Sequence, residues 1–193
     1  MSIVGVDEVG RGCLYGCVTA AAMVLPETFP DEGYKDIKDS KKLSAKKRAK
    51  MDLYIKEHAI AYAVGSASAA EIDALNIQNA TFLAMHRALE QIEQQTSIAK
   101  IMVDGNRFLK YKHYEHECIV GGDAVYKSIS AASILAKVYR DTLMEERVKA
   151  DPRLNVYELA KNKGYGTKTH MDAIAQHGIT EDHRKSFKPC CDY

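Results

Sequence analysis

The sequence lacks the features that mark secreted, membrane-spanning and zinc-binding proteins. It contains no stretch that approaches the roughly 20 apolar residues needed to cross a bilayer. Its five cysteines, an odd number, include no Cys-x-x-Cys pair and no histidine-rich partner segment at zinc spacing. Met1 runs almost directly into strand-like residues, so we expect no signal peptide. These absences predict a cytoplasmic protein without a disulfide framework.

The chain also has little net charge, no internal repeat and no low-complexity linker. A formal net charge of +1 over 193 residues identifies no partner, and the length suits one domain or a domain with a small appendage. The charge is clustered, however, because lysines concentrate between Lys38 and Lys50 and again between Lys161 and Lys188. Two such segments could bracket a phosphate backbone, although a lysine run can equally be a solvated face.

Hydrophobic spacing predicts strands first, then a mixed α/β pattern and finally a helical tail. The predicted strands cover residues 3–6, 17–25, 59–66, 98–103 and 119–120, and the second is expected to form a hairpin with the first. Ser44 and Asn76 are candidate N-caps of two helices. Further helices are predicted over residues 128–149 and 169–176, the last of them closed by Gly178.

Asp7 and Glu8 end the first predicted strand and directly precede a glycine-rich turn, Gly10-Arg11-Gly12. Two carboxylates at a strand end cost a great deal if they are buried as bare charges, and a divalent cation bound by oxygens removes that cost. The glycines let the backbone approach a ligand closely and offer N–H groups to an anion or a hydroxyl. This segment therefore indicates a metal site beside a backbone cradle.

Two more acids follow predicted strands: Asp104 follows Val103, and Asp123 follows Val120 after two glycines. If these strands are neighbours, the acids converge at one edge of the sheet. A single acid in such a position is often only a turn residue, so it is the repetition that favours a metal site. Carboxylates without a His or Cys cluster favour Mg²⁺ or Mn²⁺, a pair of which could activate water for phosphodiester hydrolysis.

Three side chains near the C-terminus could also contact a ligand. Tyr165 lies between two glycines, so its ring could project and stack on a sugar or base, although it could instead pack back on its own domain. His170 and His183 could each touch a phosphate, but we expect both at the protein surface.

Seven ordered segments, which together span nearly the whole chain, resemble those of ribonuclease HII, the type 2 ribonuclease H family. They are GVDEVGRG at residues 5–12, DSKKLS at 39–44, VDG at 103–105, GDA at 122–124, SISAASILAKVYRD at 128–141, GYGT at 164–167 and HRKSF at 183–187. A Gly-Arg-Gly alone is weak, whereas the ordered set is very specific.

The resemblance implies an α/β fold, a ribonuclease H-like mixed five-stranded sheet flanked by helices with a C-terminal helical extension. It implies a catalytic core at residues 1–150 and an extension at 151–193 that contributes the substrate-reading tyrosine. It further implies an endonuclease for RNA–DNA hybrids that also cuts 5′ to single ribonucleotides in duplex DNA. The products would be a 3′-hydroxyl and a 5′-phosphate.

The resemblance also implies roles for individual residues. The metal-site acids, which would bind Mn²⁺ or Mg²⁺, would be Asp7, Glu8, Asp104 and Asp123. The residues that read the 2′-hydroxyl at the RNA–DNA junction would be Gly10, Arg11, Gly12 and Tyr165. The phosphate contacts would be Lys41, Lys42, Ser133 and Lys137.

Two departures from the family pattern carry further expectations. Cys13 and Cys17 stand where many members have proline, which we expect to loosen the loop after Gly12 and expose a thiol near the site. The sequence after Phe187 shows no aromatic-ending peptide of the kind that docks onto a sliding clamp, so we expect no such docking. Separately, we expect a monomeric protein.

Two other functions stay open at this point. The chain could be a hybrid-binding module that has lost catalysis, but the presence of all four acids argues against that. It could be another metal-dependent nuclease of the same fold, such as a resolvase or transposase domain. Such enzymes share the acids but have no reason to combine the Gly-Arg-Gly turn with a tyrosine that reads the 2′-hydroxyl.

Overall fold

The centre of the protein is one mixed five-stranded β-sheet. In the computed structural model, residues 2–38 and 40–193 are described, so Met1 and Asp39, the first residue of the DSKKLS segment, lie outside the described residues. The strands are β1 (Ser2–Val9), β2 (Val18–Val24), β3 (Ala61–Ala67), β4 (Ile98–Asp104) and β5 (Glu115–Ile119). Their order is β3-β2-β1-β4-β5, with β1 antiparallel to β2 and parallel to β4. The predicted hairpin and the mixed sheet are confirmed.

Helices cover both faces of this sheet and form the tail. They are α1 (Ala45–His58), α2 (Ala69–Leu75), α3 (Ile77–Glu93), α4 (Lys127–Ala150), α5 (Leu159–Asn162) and α6 (Lys168–His177). Both predicted N-caps are confirmed, because the side chains of Ser44 and Asn76 accept hydrogen bonds from the backbone N–H groups of Lys47 and Asn79. Gly178 follows α6 with a positive φ of 75°, as its predicted capping role requires.

Three elements differ from the sequence prediction, and one of them is the short helix α5, which no helical spacing predicted. Helix α2 was not predicted, although Ser68 and Glu71 form a complete capping box at its start. The last strand lies at Glu115–Ile119 rather than at residues 119–120. It was misplaced because β5 is a half-exposed edge strand with the polar sequence EHECI, so no apolar run marks its position.

Alternate residues of β2 point into two separate layers of core. Ala20 and Ala22 belong to the cluster that packs against α3, whereas Ala21 and Met23 belong to the cluster formed with α1 and α4. Contact between α4 and β1 is very close at Gly5, where an added Cβ would lie 2.4 Å from the carbonyl carbon of Ser128. The glycine therefore lets the start of α4 rest directly on the central strand.

The residues after α4 form a third cluster on one side of the core. Leu154, Tyr157 and Ile174 pack there against Leu14 and Met144, so the tail covers both the loop after β1 and the far end of α4. Within the described ranges, none of the helices combines the length and the apolar character that a membrane span requires.

The close contact at Gly5 generates a stability prediction. We expect Gly5→Ala to lower the free energy of unfolding by roughly 1–3 kcal/mol, because the new methyl group must push α4 off the sheet. Urea denaturation monitored by circular dichroism measures this change. Gly12→Ala is the matched control, since a Cβ at Gly12 meets no atom within 4 Å. Equal stability of the two variants would show that α4 does not need this close approach.

Candidate active site

The sheet brings the predicted acids to one edge. In the parallel pairing of β1 with β4, Val6 lies opposite Val103, so Asp7 and Asp104 are at the carboxyl ends of neighbouring strands. After β5, a turn at Gly121 and Gly122 leads back toward β4, and the N–H of Gly122 donates to Oδ1 of Asp104 at 2.7 Å. This turn places Asp123 beside Asp104, so acids from three adjacent strands converge.

The first two acids of this cluster are largely removed from water. Asp7 is 5% exposed, and this burial raises the pKa of its carboxyl group, with further increases from the negative charges of Glu8 and Asp104. Burial also raises the pKa of Glu8, and the nearby guanidinium of Arg11, 3.6 Å from Oε1, opposes that increase. The cluster is thus a half-buried concentration of negative charge.

The chemistry of these donors fits a hard divalent cation. Every donor is a carboxylate oxygen, the ligand type that Mg²⁺ and Mn²⁺ prefer. Over residues 2–38 and 40–193, however, no group of three or more His, Cys, Asp or Glu side chains is already arranged to hold a metal ion. A cation would offset the cost of burying these acids, because burial and then the negative charges of Glu8 and Asp104 raise the pKa of Asp7. The carboxylates would have to close around a cation to bind it.

Beside the acids, the glycine turn has one tightly packed position and one open position. Gly10 has a φ of +88°, and a Cβ there would lie 2.3 Å from Nε of Arg140, so only glycine fits. Gly12 faces open space on its Cβ side. The guanidinium of Arg184 donates to the carbonyl oxygens of Gly10 at 2.6 Å and Arg11 at 2.8 Å. Arg184 therefore fixes the carbonyl groups of the turn, while the Cβ side of Gly12 stays accessible.

A second buried guanidinium extends this support to the tail. Arg140 donates to the carbonyl oxygens of Cys17 at 3.1 Å, Tyr15 at 3.1 Å and Lys163 at 2.6 Å. Both Arg140 and Arg184 are completely buried. Sequence reasoning missed both roles, although each arginine lies within one of the family segments, because their partners are carbonyl groups distant in sequence.

The tail places Tyr165 next to the glycine turn. Tyr165 forms an isolated β-bridge with Cys13, and the N–H of Leu14 donates to the carbonyl of Gly164 at 2.8 Å. The ring of Tyr165 remains substantially exposed. Two segments that the sequence singled out separately therefore lie side by side.

Two expectations about this region are wrong. Cys13 and Cys17 are buried rather than exposed, and burial raises the pKa of the Cys13 thiol. The loop that carries them is not loosened in the structure, because the two arginines bind its carbonyl groups. His170 and His183 are also completely buried, in the C-terminal cluster beside the ring of Tyr157, rather than on the surface.

The predicted phosphate-contacting residues surround the acids at different depths. Nζ of Lys41 lies 3.9 Å from Oδ2 of Asp123, and its side chain is largely exposed, as Lys42 is. Ser133 is buried, and its hydroxyl contacts that of Ser40 at 2.9 Å and opposes the rise in the pKa of Asp7.

Two further features of this region carry positive charge. On α4, Nζ of Lys137 donates to Asp141, an acid outside the cluster, at 2.7 Å. A cleft of about 260 Å³ also opens beside the acids, and its lining includes Glu8, Asp104, Arg11 and Arg107. Arg107 was not predicted from the sequence.

The sequence as a whole matches one protein family. A sequence model of the family described as ribonuclease HII matches residues 4–190. Ribonuclease HII of Parabacteroides distasonis is 52% identical over 183 residues, which are 95% of this chain and 88% of that protein. Ribonuclease HII of Acinetobacter baylyi is 49% identical over 187 residues, which are 97% of this chain and 95% of that protein.

Solved structures share the fold at lower sequence identity. Ribonuclease H2 from Pyrococcus horikoshii OT3 matches with a TM-score of 0.76 and 22% identity, covering 100% of this chain and 96% of that one. RNase HII from Archaeoglobus fulgidus, solved as a complex with PCNA, matches with a TM-score of 0.77 and 21% identity, covering 97% and 96%. Bst-RNase HIII, solved with Mn²⁺, matches with a TM-score of 0.71 and 22% identity, covering 92% of this chain and 63% of that one.

These structures confirm the predicted ribonuclease H-like fold. The sequence matches show which family the chain belongs to. A family match from residue 4 to residue 190 and relatives with 49% and 52% identity show that the chain belongs to the ribonuclease HII family of nucleases.

Proposed function

We propose that the chain cuts the RNA strand of RNA–DNA hybrids and also nicks duplex DNA on the 5′ side of single embedded ribonucleotides. Membership of the ribonuclease HII family supports an endoribonuclease that acts on hybrids. The observation that carries the finer proposal is the pairing of Tyr165 with Cys13, the residue after the glycine turn that itself follows Asp7 and Glu8. The carboxylates that would cleave the phosphodiester and the residues that would recognise the sugar then belong to one surface.

The carboxylates Asp7, Glu8, Asp104 and Asp123 would hold Mg²⁺ or Mn²⁺. Such cations, when bound, supply an activated water and stabilise the oxygen that leaves the phosphorus. The chain itself contributes fixed backbone donors, since the N–H groups of Glu8 and Gly122 orient one oxygen each of Asp7 and Asp104. Hydrolysis with departure of the 3′ oxygen gives a 3′-hydroxyl and a 5′-phosphate.

Selection of a ribonucleotide requires recognition of one hydroxyl group. Only the 2′-hydroxyl distinguishes RNA from DNA at a single nucleotide, and it can both donate and accept a hydrogen bond. Backbone groups of the Gly10–Gly12 turn can meet it without side-chain freedom, because Arg184 fixes two carbonyls of the turn and the Cβ side of Gly12 is open. Glycine at position 12 lets a sugar approach the backbone.

Tyr165 would act together with the Gly10–Gly12 turn by stacking on the next sugar. We call the turn and Tyr165 together the reader. Its backbone pairs with that of Cys13 while the residue stays 40% exposed, which leaves surface for a stacking contact. A deoxyribose would fit against the ring, whereas an additional hydroxyl would clash. The turn and the ring would thus recognise an RNA-to-DNA junction.

Phosphate contacts would supply most of the affinity, because they are independent of sequence and make up most of protein–nucleic acid hydrogen bonding. We assign them to Lys41, Lys42, Ser133 and Lys137. Action as a cytoplasmic monomer without clamp docking stays a prediction, as does the boundary between a core at 1–150 and an extension at 151–193.

The carboxylate assignment predicts that Asp7→Asn and Asp104→Asn abolish cleavage of a labelled DNA duplex that contains one ribonucleotide, with Mg²⁺ or Mn²⁺ present. Each change removes a negative charge from the cluster while it keeps the side-chain size, so circular dichroism should show an intact fold. Asp172→Asn, at an exposed acid on α6, is the control and should cut normally. Near-normal cutting by either site variant would remove these acids from the mechanism.

The same assay separates the alternative functions. Cutting only 5′ to the ribonucleotide supports the proposal. Binding without cutting by the unaltered protein would favour a hybrid-binding module. Equal cutting of an all-DNA duplex would favour a nuclease that does not read sugar.

The reader assignment predicts that Tyr165→Ala loses about tenfold in the ratio of kcat/KM for a single ribonucleotide to kcat/KM for a long hybrid, the effect of one lost stacking contact. The dissociation constant for either duplex should change much less, because phosphates dominate affinity. Tyr62→Ala, at a partly exposed tyrosine on the distant strand β3, should leave the ratio unchanged. An unchanged ratio in Tyr165→Ala would contradict the assignment.

A further inference from the structure

Two buried histidines lie directly behind Tyr165 and take no part in the carboxylate cluster. His170 is in the first turn of α6, and His183 lies in the segment after that helix. Both are completely buried, and their Nε2 atoms are 3.1 Å apart. Two imidazoles in such contact require that one donates a proton and the other accepts it.

The surrounding backbone determines which nitrogen carries each proton. The N–H of Thr180 can only donate, and it lies 2.9 Å from Nδ1 of His183. In the neutral ring this leaves the proton of His183 on Nε2, from which it points at Nε2 of His170. His170 must then carry its own proton on Nδ1, which lies 3.0 Å from the carbonyl oxygen of Tyr165. The direction of each hydrogen bond therefore determines the direction of the next one.

Both rings are neutral under ordinary conditions, as this assignment requires. Burial lowers the pKa of His170, and burial together with the neighbouring His170 lowers the pKa of His183 to about 4. We call the series Thr180 N–H to His183, His183 to His170 and His170 to Tyr165 the histidine chain.

The histidine chain ends on the residue that the glycine turn adjoins. The carbonyl oxygen of Tyr165 accepts from Nδ1 of His170 and also from the N–H of Thr167 at 2.8 Å, so both of its acceptor positions are used. The residue after His183 is Arg184, whose guanidinium holds the turn at Gly10 and Arg11. The adjacent residues His183 and Arg184 thus act on the two parts of the reader, His183 through His170 on Tyr165 and Arg184 on the glycine turn.

We propose that the histidine chain makes His170 and His183 positioning residues that set the ring of Tyr165 at the distance from the Gly10–Gly12 turn needed to select a ribonucleotide junction. This inference rests on the proposed function, in which Tyr165 reads the sugar. Neither histidine touches substrate in this account. Their effect passes through the backbone of Tyr165.

Two substitutions at His170 separate hydrogen bonding from packing. His170→Phe keeps the size of the ring but removes both hydrogen bonds. His170→Asn loses volume but keeps an N–H donor at the same number of bonds from Cα as Nδ1, so it can still donate to Tyr165. If the role were packing alone, Phe would be the milder change.

The readout is the ratio of kcat/KM on a single-ribonucleotide duplex to kcat/KM on a long RNA–DNA hybrid. We expect His170→Phe to lower this ratio about five- to tenfold, and His170→Asn to keep it within about twofold. His177→Phe and His177→Asn, at the exposed last residue of α6, are matched controls that should leave it unchanged. A smaller loss with Phe than with Asn, or equal values for both, would overturn the inference.

Tyr165→Ala, run in parallel, distinguishes two kinds of failure. If Tyr165→Ala lowers the ratio but His170→Phe does not, the histidine inference fails and the proposed function stands. If Tyr165→Ala leaves the ratio unchanged, the tyrosine is not a reader, and the histidine inference fails with it.

A measurement on the unaltered protein tests the proton assignment without any variant. Two-dimensional ¹H–¹⁵N NMR of the imidazoles should show His183 protonated on Nε2 and His170 protonated on Nδ1. A proton on Nε2 of His170 would overturn the inference even if the variants failed to fold.

Discussion

The parallel pairing of β1 with β4 is the constraint on which the site depends. With Val6 opposite Val103, the strands end together and deliver Asp7 and Asp104 to one edge. A shift of one residue would turn the side chains of a strand to the opposite face. Complete burial of Val6 and Val103 and the close approach of α4 at Gly5 oppose such a shift. The packing of the core and the position of the acids are therefore specified by the same contacts.

Buried guanidinium groups connect the loop after β1 to the C-terminal tail. A buried charge is tolerated only when its hydrogen-bonding groups are satisfied, and Arg140 and Arg184 each donate to three backbone carbonyls. Burial lowers the pKa of Arg184 to about 10, which still leaves it charged at neutral pH. Because carbonyls of the loop after β1 are among the acceptors of both side chains, that loop cannot move independently of its packing against the tail. The Gly10–Gly12 turn and Tyr165 are consequently held in place by contacts between the loop after β1 and the C-terminal tail.

The sequence predicted the parts of the molecule that rest on local signals. Apolar runs that end on acids located Asp7, Asp104 and Asp123, and side chains that cap helices located the starts of α1 and α3. The polar edge strand β5 lacked an apolar run and was misplaced. The buried roles of Arg184 and His183 could not be derived, because their partners are defined only after distant segments meet. Charged and imidazole side chains look like surface residues until the fold supplies their partners.

The two halves of the site obey opposite physical requirements. The carboxylate half concentrates like charges in a buried place, where burial and then the charges of Glu8 and Asp104 raise the pKa of Asp7, and a bound cation would offset that cost. The half that we propose reads the sugar would have to distinguish a single hydroxyl, which requires it to be rigid before substrate arrives. Backbone carbonyls bound by buried donors provide that rigidity with no net charge of their own. The fold therefore holds the proposed sugar-reading turn in place, whereas the proposed metal-binding carboxylates would still have to close around a cation.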